Sequence, residues 1–437
     1  MSLGDAQRQP EALSPSAAEA ATVVPLRQNR DFVRLWGGGA VSALGTSTSS
    51  LVFPLIGYAI TGSAAQAGLA TTALLLGSVL AQLPAGALVD HWPRGRVLVL
   101  TNLVGAVSYA SLAVAALANR LTLAHLVAVG LLSGISAAFF GPAASAALRT
   151  VVPEPQLAVA YSRNQARRHA ADLVGPPLGG ALYAVARGLP FLVDAVSYAV
   201  AALTFSRIRT PLPPPAGPEQ RRRVAGDVAE GLRFVWRQPV IRAILLWGAT
   251  LNFSMTFVLL TVTLRLVRVG VHPSVIGLVD TIAATAGLLG ALAAPAIIAR
   301  MRTGLTTIGT GLALAVLGLP IAWTDDVVVI GALLSGGFLL MPANNSGIFA
   351  YLAAVTPDRL QGRVYSATGF VANALEPAAP VLAGVLVGSI GGRAASIAGA
   401  VLTAASLVPL LTSGAVRNLG RPDDWKARPA EGSEATP

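Results

Sequence analysis

The chain has 437 residues and a net charge of +11, yet only 12% of its residues are charged and 54% are hydrophobic. Soluble proteins carry about 25% charged residues, so this composition indicates a protein that crosses a membrane many times. The absence of cysteine excludes disulfides and thiolate chemistry, and the single lysine, Lys426, lies in a polar tail, which excludes a phosphate-binding loop of the Gly-Lys-Ser type.

The chain reads as a series of apolar segments after a polar start. Residues 1–30 have no apolar core, so we expect a disordered cytoplasmic tail and not a cleaved signal sequence. A spanning helix needs about 20 mostly apolar residues, and twelve segments meet this criterion. We therefore predict an all-α polytopic membrane protein with twelve transmembrane helices. The predicted spans are 35–60, 65–89, 97–118, 122–151, 158–186, 189–208, 240–264, 273–299, 304–323, 327–355, 363–388 and 393–414.

The basic residues predict the orientation of these helices. An even number of spans places both termini on one side. If that side is the cytoplasm, only five of the 31 basic residues fall outside, which fits the excess of arginine and lysine in cytoplasmic loops. We expect an inner-membrane protein, and residues 415–437 form a second cytoplasmic tail. The five outer residues are Arg120, Arg187, Arg265, Arg268 and Arg393. Because the arginines are scattered between apolar runs, we expect no nucleic acid partner.

A polar linker, 209–238, separates an N-terminal half, 31–208, from a C-terminal half, 239–414. The end of the linker is amphipathic, because Val228, Leu232 and Val235 share one face of a predicted helix. This pattern is typical of a helix lying in the membrane interface, although a solvated linker would explain it equally well.

The two halves repeat each other at an offset of 204 residues. Since each half has six spans, both copies enter the membrane from the same side. This predicts a parallel repeat about an axis along the membrane normal, with the substrate site between the halves. The matching pairs are Pro153 and Pro357, Tyr161 and Tyr365, Pro176 and Pro380, Gly180 and Gly384, Gly86 and Gly290, and Asp172 and Glu376.

The run Gly86-Ala87-Leu88-Val89-Asp90-His91-Trp92-Pro93-Arg94-Gly95-Arg96 follows the second predicted span. Gly86 allows close helix contact, Asp90 can face a helix N-terminus, and Arg94 and Arg96 can face anionic headgroups. A basic turn in which Asp90 pairs with Arg94 would also explain it. The run resembles the loop signature of the major facilitator superfamily, although His91 stands where the family has arginine.

Other stretches resemble one branch of that family, the bacterial drug and metabolite exporters that include macrolide-efflux and enterobactin-export proteins. The resemblance implies a secondary transporter with a small-molecule substrate and no cofactor. It covers nearly the whole membrane region. The stretches are Phe32-Val33-Arg34-Leu35-Trp36, Phe139-Phe140-Gly141-Pro142-Ala143, Phe191-Leu192-Val193-Asp194-Ala195-Val196-Ser197-Tyr198 and Gly362-Arg363-Val364.

The run Gly175-Pro176-Pro177-Leu178-Gly179-Gly180 is similar to the antiporter signature of the fifth helix, with Ala171 in place of an earlier glycine. Pro176 and Pro177 each remove a helical donor, so we expect the helix to bend, and Gly175, Gly179 and Gly180 allow a neighbouring backbone to approach. A structural kink alone would account for the run.

Asp172 and Glu376 are the predicted proton-coupling residues. A charged side chain near the bilayer centre costs roughly 2.5–3.5 kcal/mol, so such residues are functional candidates. Glu376 lies thirteen residues beyond Arg363, ~20 Å along a helix, which is near the midplane. Asp172 could instead be a static partner of Arg168.

The remaining charges have simpler explanations. Arg167 and Arg168 form a candidate vestibule for anionic substrates, although contact of their side chains with lipid phosphates explains them as well. For Asp194 we expect an ion pair with Arg187, and for Asp280 one with Arg265 or Arg268; a role of these acids in proton coupling is the alternative. The four histidines show no metal-ligand spacing.

The sequence thus favours a proton-coupled, monomeric exporter of small amphipathic molecules such as drugs or secondary metabolites. No catalytic nucleophile, metal site or phosphate motif suggests an enzyme. An uptake or lipid-moving transporter of the same fold and a membrane ligand sensor or scaffold are the alternatives. The sequence does not identify the substrate.

Overall fold

The computed structural model describes residues 25–89, 92–212, 224–357 and 360–426, and within these ranges it is helical with no strand. Twelve spans follow one another, and they are numbered here in chain order. Span 1 is Arg30–Ser50 and Val52–Thr61, span 2 Ala64–Val89, span 3 Arg94–Leu117, span 4 Leu123–Val151, span 5 Leu157–Val185, span 6 Leu189–Ser206, span 7 Pro239–Arg268, span 8 Pro273–Arg300, span 9 Thr303–Gly318 with Pro320–Trp323, span 10 Val327–Val355, span 11 Gln361–Ala374 with Ala378–Ser389, and span 12 Gly392–Ser406 with Val408–Thr412.

This architecture confirms the predicted fold class of two six-helix halves, the N-half (spans 1–6) and the C-half (spans 7–12). Within the described ranges, eleven of the spans are apolar enough over their length to cross a membrane. The remaining one is span 5, whose first half contains Arg163, Arg167 and Arg168. Span 1 starts five residues earlier than predicted, because the Asn29 side chain accepts hydrogen bonds from the backbone of Asp31 and Phe32 and so caps the helix.

The repeat has two offsets instead of one. The first residues of spans 4 and 5 precede those of spans 10 and 11 by 204, as predicted. The first residues of spans 1, 2 and 3 precede those of spans 7, 8 and 9 by 209, so the stretch from the start of span 9 to the start of span 10 is five residues shorter than the stretch from the start of span 3 to the start of span 4. The pairs are Leu123 and Val327, Leu157 and Gln361, then Arg30 and Pro239, Ala64 and Pro273, and Arg94 and Thr303. The predicted match of Gly86 with Gly290 is therefore wrong, because span 2 corresponds to span 8 at 209.

One hydrophobic cluster joins the two halves. Leu51 and Leu55 of span 1 pack there with buried residues of the C-half, including Phe257, Leu264 and Val279. These residues lie at the end of the bundle opposite the linker, which we call the far side, and the opposite face is the linker side. The four other clusters each lie within a single half. The apolar core thus holds the halves together on the far side.

Both described ends of the linker are anchored. Asp31 accepts hydrogen bonds from the backbone of Arg209 and from the backbone and side chain of Thr210. After residues 213–223, which lie outside the described ranges, the linker helix Val224–Arg237 packs against span 11. In this helix Val235 is fully buried and Glu230 forms an ion pair with Arg363. The linker helix is therefore attached to the C-half.

Candidate functional site

Span 5 lies between spans 1 and 8, and its small residues make both contacts close. A Cβ atom on Gly175 would lie 2.3 Å from the Cβ of Ser47, and one on Gly179 would lie 2.0 Å from the carbonyl oxygen of Thr48. On the other face, a Cβ on Gly180 would lie 2.3 Å from the carbonyl oxygen of Pro273. The glycines thus allow span 5 to contact span 1 in its own half and span 8 in the other half.

The second proline of this run leaves a backbone acceptor that the other half uses. Pro177 has no N–H group, so it cannot donate to the carbonyl of Leu173 four residues earlier. The hydroxyl of Thr281 in span 8 donates to that carbonyl at 2.9 Å. Span 5 runs through Pro176 and Pro177 without interruption. We call this contact between spans 5 and 8 the 5–8 seam. It is held by a hydrogen bond to a carbonyl group that Pro177 leaves free.

The 2–11 seam repeats this contact on the other side of the bundle. Thr72 donates to the carbonyl of Pro377 at 2.8 Å and accepts from the N–H group of Val381 at 3.2 Å. Cβ atoms on Gly68 and Gly384 would lie 2.2 Å from the carbonyl oxygens of Pro380 and Ala64. Thr72 and Thr281 are 209 residues apart, and their acceptors Leu173 and Pro377 are 204 apart, so the two seams are equivalent.

Both seams lie in the far-side halves of their spans, whereas the cavities lie toward the linker side. A cavity of about 540 Å³ in the N-half, the N-half cavity, is lined by apolar, polar and charged residues of spans 1, 3, 4, 5 and 6. A cavity of about 460 Å³ in the C-half, the C-half cavity, is lined by residues of spans 7, 10 and 11. In this conformation the far side is closed and the cavities face the linker side.

The two cavities have different chemistry. The N-half cavity carries charged groups together with aromatic and amide side chains, including Tyr161, Asn164, Arg167, Arg168, Asp172 and Tyr198. Uncharged residues line the C-half cavity, with several asparagines beside aromatic rings, including Trp247, Asn252, Asn344, Asn345, Tyr365 and Asn373. The N-half cavity thus offers charged groups to a ligand, and the C-half cavity offers amide groups.

Asp172 and Glu376 occupy equivalent positions with equivalent partners. The carboxylate of Asp172 accepts a hydrogen bond from the hydroxyl of Ser47 at 2.9 Å, and that of Glu376 accepts one from Thr256 at 3.0 Å. Ser47 and Thr256 are 209 residues apart. The proposed pairing of Asp172 with Arg168 is wrong, because Arg168 donates to Gln165 instead.

The helix around Glu376 differs from the continuous span that the sequence predicted. Span 11 ends at Ala374 and resumes at Ala378, so Glu376 lies in a turn between two half-helices. Pro377 and Pro380 explain the interruption, since neither can donate a backbone hydrogen bond. The acid is half-buried and lies one turn beyond Asn373, which lines the C-half cavity.

Arg167 enters the contact between spans 1 and 5. Its guanidinium donates to the carbonyl of Trp36 at 3.1 Å, and a Cβ on Gly39 would lie 2.0 Å from its Nη1. No carboxylate of the described residues lies within ion-pair distance of it or of Arg168. Both arginines line the N-half cavity.

The predicted loop motif is only partly within the described residues. Gly86 lies in the last turn of span 2, and Asp90 lies outside the described ranges. The Arg94 side chain reaches Thr150 at the end of span 4, and its N–H group donates to the carbonyl of Leu212 at 3.2 Å. Arg96 is exposed. Arg94 thus joins spans 3 and 4 and the start of the linker.

The predicted partners of the two outer acids are wrong. Asp194 is fully buried and accepts hydrogen bonds from Ser49 and Ser197, whereas Arg187 is exposed. For Asp280, neither predicted arginine is available, since Arg265 pairs with Asp325 at 3.0 Å. Arg268 donates to a backbone carbonyl of span 11.

Sequence reasoning also missed the two seam threonines. The sequence contains the pattern that identifies them, because Gly68 and Thr72 of span 2 recur as Gly277 and Thr281 of span 8 with the same spacing of four residues. These pairs are 209 residues apart, so a search at a constant offset of 204 does not find them.

Comparison with known proteins gives consistent matches. The profile of the Major Facilitator Superfamily matches residues 35–375. The multidrug efflux pump Tap of Mycolicibacterium fortuitum is 30% identical over 376 residues, 81% of this chain and 88% of that protein. The enterobactin exporter EntS of Citrobacter koseri is 24% identical over 377 residues, 83% of this chain and 87% of that protein. The solved structure of the nucleoside transporter NupG aligns with a TM-score of 0.66 at 13% identity, over 87% of this chain and 99% of that chain, which shows a shared fold.

Proposed function

Because this chain belongs to the Major Facilitator Superfamily, we propose that it is a proton-coupled exporter of small amphipathic molecules that works by alternating access. The predicted resemblance to this family and its exporter branch is confirmed by the matches. The names of Tap and EntS describe a multidrug efflux pump and an enterobactin exporter, and we extend that direction of transport to this chain.

We further propose that the chain acts as a monomer in the cytoplasmic membrane with both termini inside the cell. The distribution of arginine supports this orientation, because it leaves only five basic residues outside. The linker side then faces the cytoplasm and the far side faces the exterior. The N-half and the C-half would move as two bodies connected by the linker, with both termini on the cytoplasmic side.

The observation that carries the proposal is the placement of two equivalent acids beside two equivalent seams. Asp172 precedes Leu173, whose carbonyl forms the hydrogen bond of the 5–8 seam, and Glu376 precedes Pro377, whose carbonyl does the same in the 2–11 seam. A change in the protonation of either acid alters the charge next to a contact that must separate when the far side opens. Proton binding and opening are thereby linked through adjacent residues.

In the proposed cycle, the conformation described here receives substrate from the cytoplasm while Asp172 and Glu376 release protons. Substrate binding then allows the seams to separate, and substrate leaves to the exterior. Protons from outside bind the acids and favour the return. Each charge moved through 100 mV supplies ~2.3 kcal/mol, which drives export against a concentration gradient.

The remaining predicted residues take supporting roles in this proposal. Arg167 and Arg168 would attract an anionic group of the substrate into the N-half cavity, because neither arginine forms an ion pair with a carboxylate of the described residues. Gly86, Arg94 and Arg96 would form a contact on the cytoplasmic side between the N-half and the C-half. Arg94 already forms hydrogen bonds with span 4 and with the start of the linker.

Uptake of ethidium into inside-out vesicles, energised by respiration, tests the proposal. We expect uptake in the wild type, its loss when the pH gradient and the potential are both collapsed, and a decrease of about tenfold in Glu376→Gln. Asp424→Asn, at an exposed residue, should behave as the wild type. If uptake of ethidium, or of any other exported drug, persists after both the pH gradient and the potential are collapsed, proton coupling is contradicted. Full activity of Glu376→Gln would remove that residue from the mechanism.

A further inference from the structure

Among the described residues, Asp194 is the most deeply buried acid that the proposed cycle does not use. It lies in span 6, its exposed fraction is 0%, and it is absent from the wall of the N-half cavity. Gly45 of span 1 makes room for it, because a Cβ there would lie 2.6 Å from Oδ1 of Asp194 and 2.0 Å from the hydroxyl of Ser197. Spans 1 and 6 are therefore packed directly around this carboxyl group.

Every described partner of this carboxyl group is uncharged. Ser49 donates to one oxygen and Ser197 to the other at 3.1 Å. The titratable groups around it are phenols: Tyr109 of span 3 and Tyr198 of span 6 lie against it, and Tyr183 of span 5 packs in the same cluster. Among the described residues, no arginine or histidine is within ion-pair distance. A buried charge without a counter-charge is costly, so the neutral, protonated form is favoured in this conformation.

The position of Asp194 along the membrane differs from that of Asp172. Span 6 begins on the far side at Leu189, so Asp194 lies ~8 Å below that end of the helix. Ser49 is in the last turn before span 1 is interrupted at Leu51, which belongs to the cluster that closes the far side. Separation of the halves at that cluster would uncover the layer next to Asp194.

Span 1 contacts both acids of the N-half through hydroxyl groups of one short run. In the run Thr46-Ser47-Thr48-Ser49-Ser50, Ser49 contacts Asp194, Thr46 contacts the hydroxyl of Tyr198 at 3.0 Å, and Ser47 contacts Asp172. Tyr198 and Asp172 line the N-half cavity, which faces the linker side. One short segment thus has a buried acid toward the far side and a cavity-lining acid toward the linker side.

We propose that Asp194 is a second proton-binding residue of the N-half, which takes a proton from the far side when the halves separate there and holds it when they close. The proton then leaves toward the N-half cavity, whose wall includes Tyr198, one turn from Asp194 in the same span. The C-half has no corresponding acid in the described part of span 12, so the two halves differ in this function. This inference rests on the proposed proton coupling.

Infrared spectroscopy of the purified protein in lipid nanodiscs tests the protonation directly. We expect a C=O stretching band of a protonated carboxylic acid at neutral pH, its isotope shift when aspartate is labelled with ¹³C, and its loss in Asp194→Asn but not in Asp424→Asn. The absence of a shifted band in the labelled wild type would decide against the inference even if Asp194→Asn does not fold. A spectrum of the labelled wild type without a shifted band, or an unchanged band in Asp194→Asn, overturns the inference.

Transport by proteoliposomes tests the role of that proton, with ethidium as the probe. We expect Asp194→Asn to reduce accumulation driven by a pH gradient by about tenfold and to leave the exchange of labelled against unlabelled ethidium at its wild-type rate. Ser206→Ala, at an exposed residue of the same span whose hydroxyl donates within its own helix, should retain driven accumulation. If the wild type is coupled and Asp194→Asn moves the same number of protons per ethidium, the inference is wrong while the proposed function stands. If the wild type is uncoupled, the proposed function itself fails.

Discussion

The hydroxyl of Thr281 replaces a hydrogen bond that the backbone of span 5 cannot make. An unsatisfied carbonyl within the hydrocarbon region is costly, and proline in a spanning helix is tolerated where a neighbouring side chain satisfies the freed group. Thr281 does so for Leu173, and Thr72 binds the carbonyl of Pro377 in the same way. The Gly-Pro run of span 5 thus serves the contact between halves in addition to any effect on helix shape.

We predict that Thr281→Val and Thr72→Val shift the equilibrium toward the far-open conformation. Interhelical hydrogen bonds in membranes contribute ~0.6 kcal/mol on average, so each change should alter the population ratio about threefold. Valine keeps the volume of threonine and removes only the hydroxyl. Thr285→Val is the matched control, because Thr285 is exposed and donates within its own helix. The rate at which an introduced far-side cysteine is alkylated would report the shift, and equal rates in all three variants would contradict a role for the seam hydroxyls.

At the scale of helices, the seams depend on backbones that approach without side chains between them. In the 2–11 seam, Gly384 packs on the carbonyl of Ala64, and in the 5–8 seam Gly180 packs on that of Pro273. Small residues let helices pack closely in a membrane, where van der Waals contact replaces the hydrophobic effect as the driving force. In the proposed cycle these contacts separate when the far side opens, so glycine at these positions would stabilise the closed conformation selectively.

We predict that Gly384→Ala opens the far side. Its added methyl group would lie 2.2 Å from a backbone oxygen, which cannot move without separating spans 2 and 11. Gly388→Ala, in the same half-helix with no atom within 4 Å of its Cβ, is the control. Spin labels on Arg120→Cys and Val269→Cys, exposed far-side positions of the two halves in a chain without native cysteine, should move apart only in Gly384→Ala. An unchanged distance would show that this seam does not hold the far side closed.

At the scale of the molecule, hydropathy and breakers predicted the spans, and the repeat predicted that Asp172 and Glu376 are equivalent. The partners of these acids could not be predicted, since Ser47 and Thr256 reach them from other helices. Nearness to the same membrane surface suggested Arg187 for Asp194. The structure shows why this reasoning fails: Asp194 faces span 1, whereas Arg187 is exposed.

The conformation described here corresponds to one state of the proposed cycle. In the proposed orientation, its closed far side and two cavities on the linker side fit a state that receives substrate from the cytoplasm. Export additionally requires that protons and substrate move in opposite directions through the same cycle. The equivalent acids beside the seams predict such exchange, because they connect protonation to the contacts that must break.

The most direct test is to let a substrate gradient move protons. Proteoliposomes without an initial pH gradient and with a trapped pH-sensitive dye would receive external ethidium, and internal pH would be followed. We predict that ethidium entering the wild-type liposomes drives protons out and raises the internal pH, and that Asp172→Asn with Glu376→Gln abolishes this change. Ethidium movement in the wild type without any change in internal pH, or a full pH change in the double variant, would contradict proton exchange through these acids.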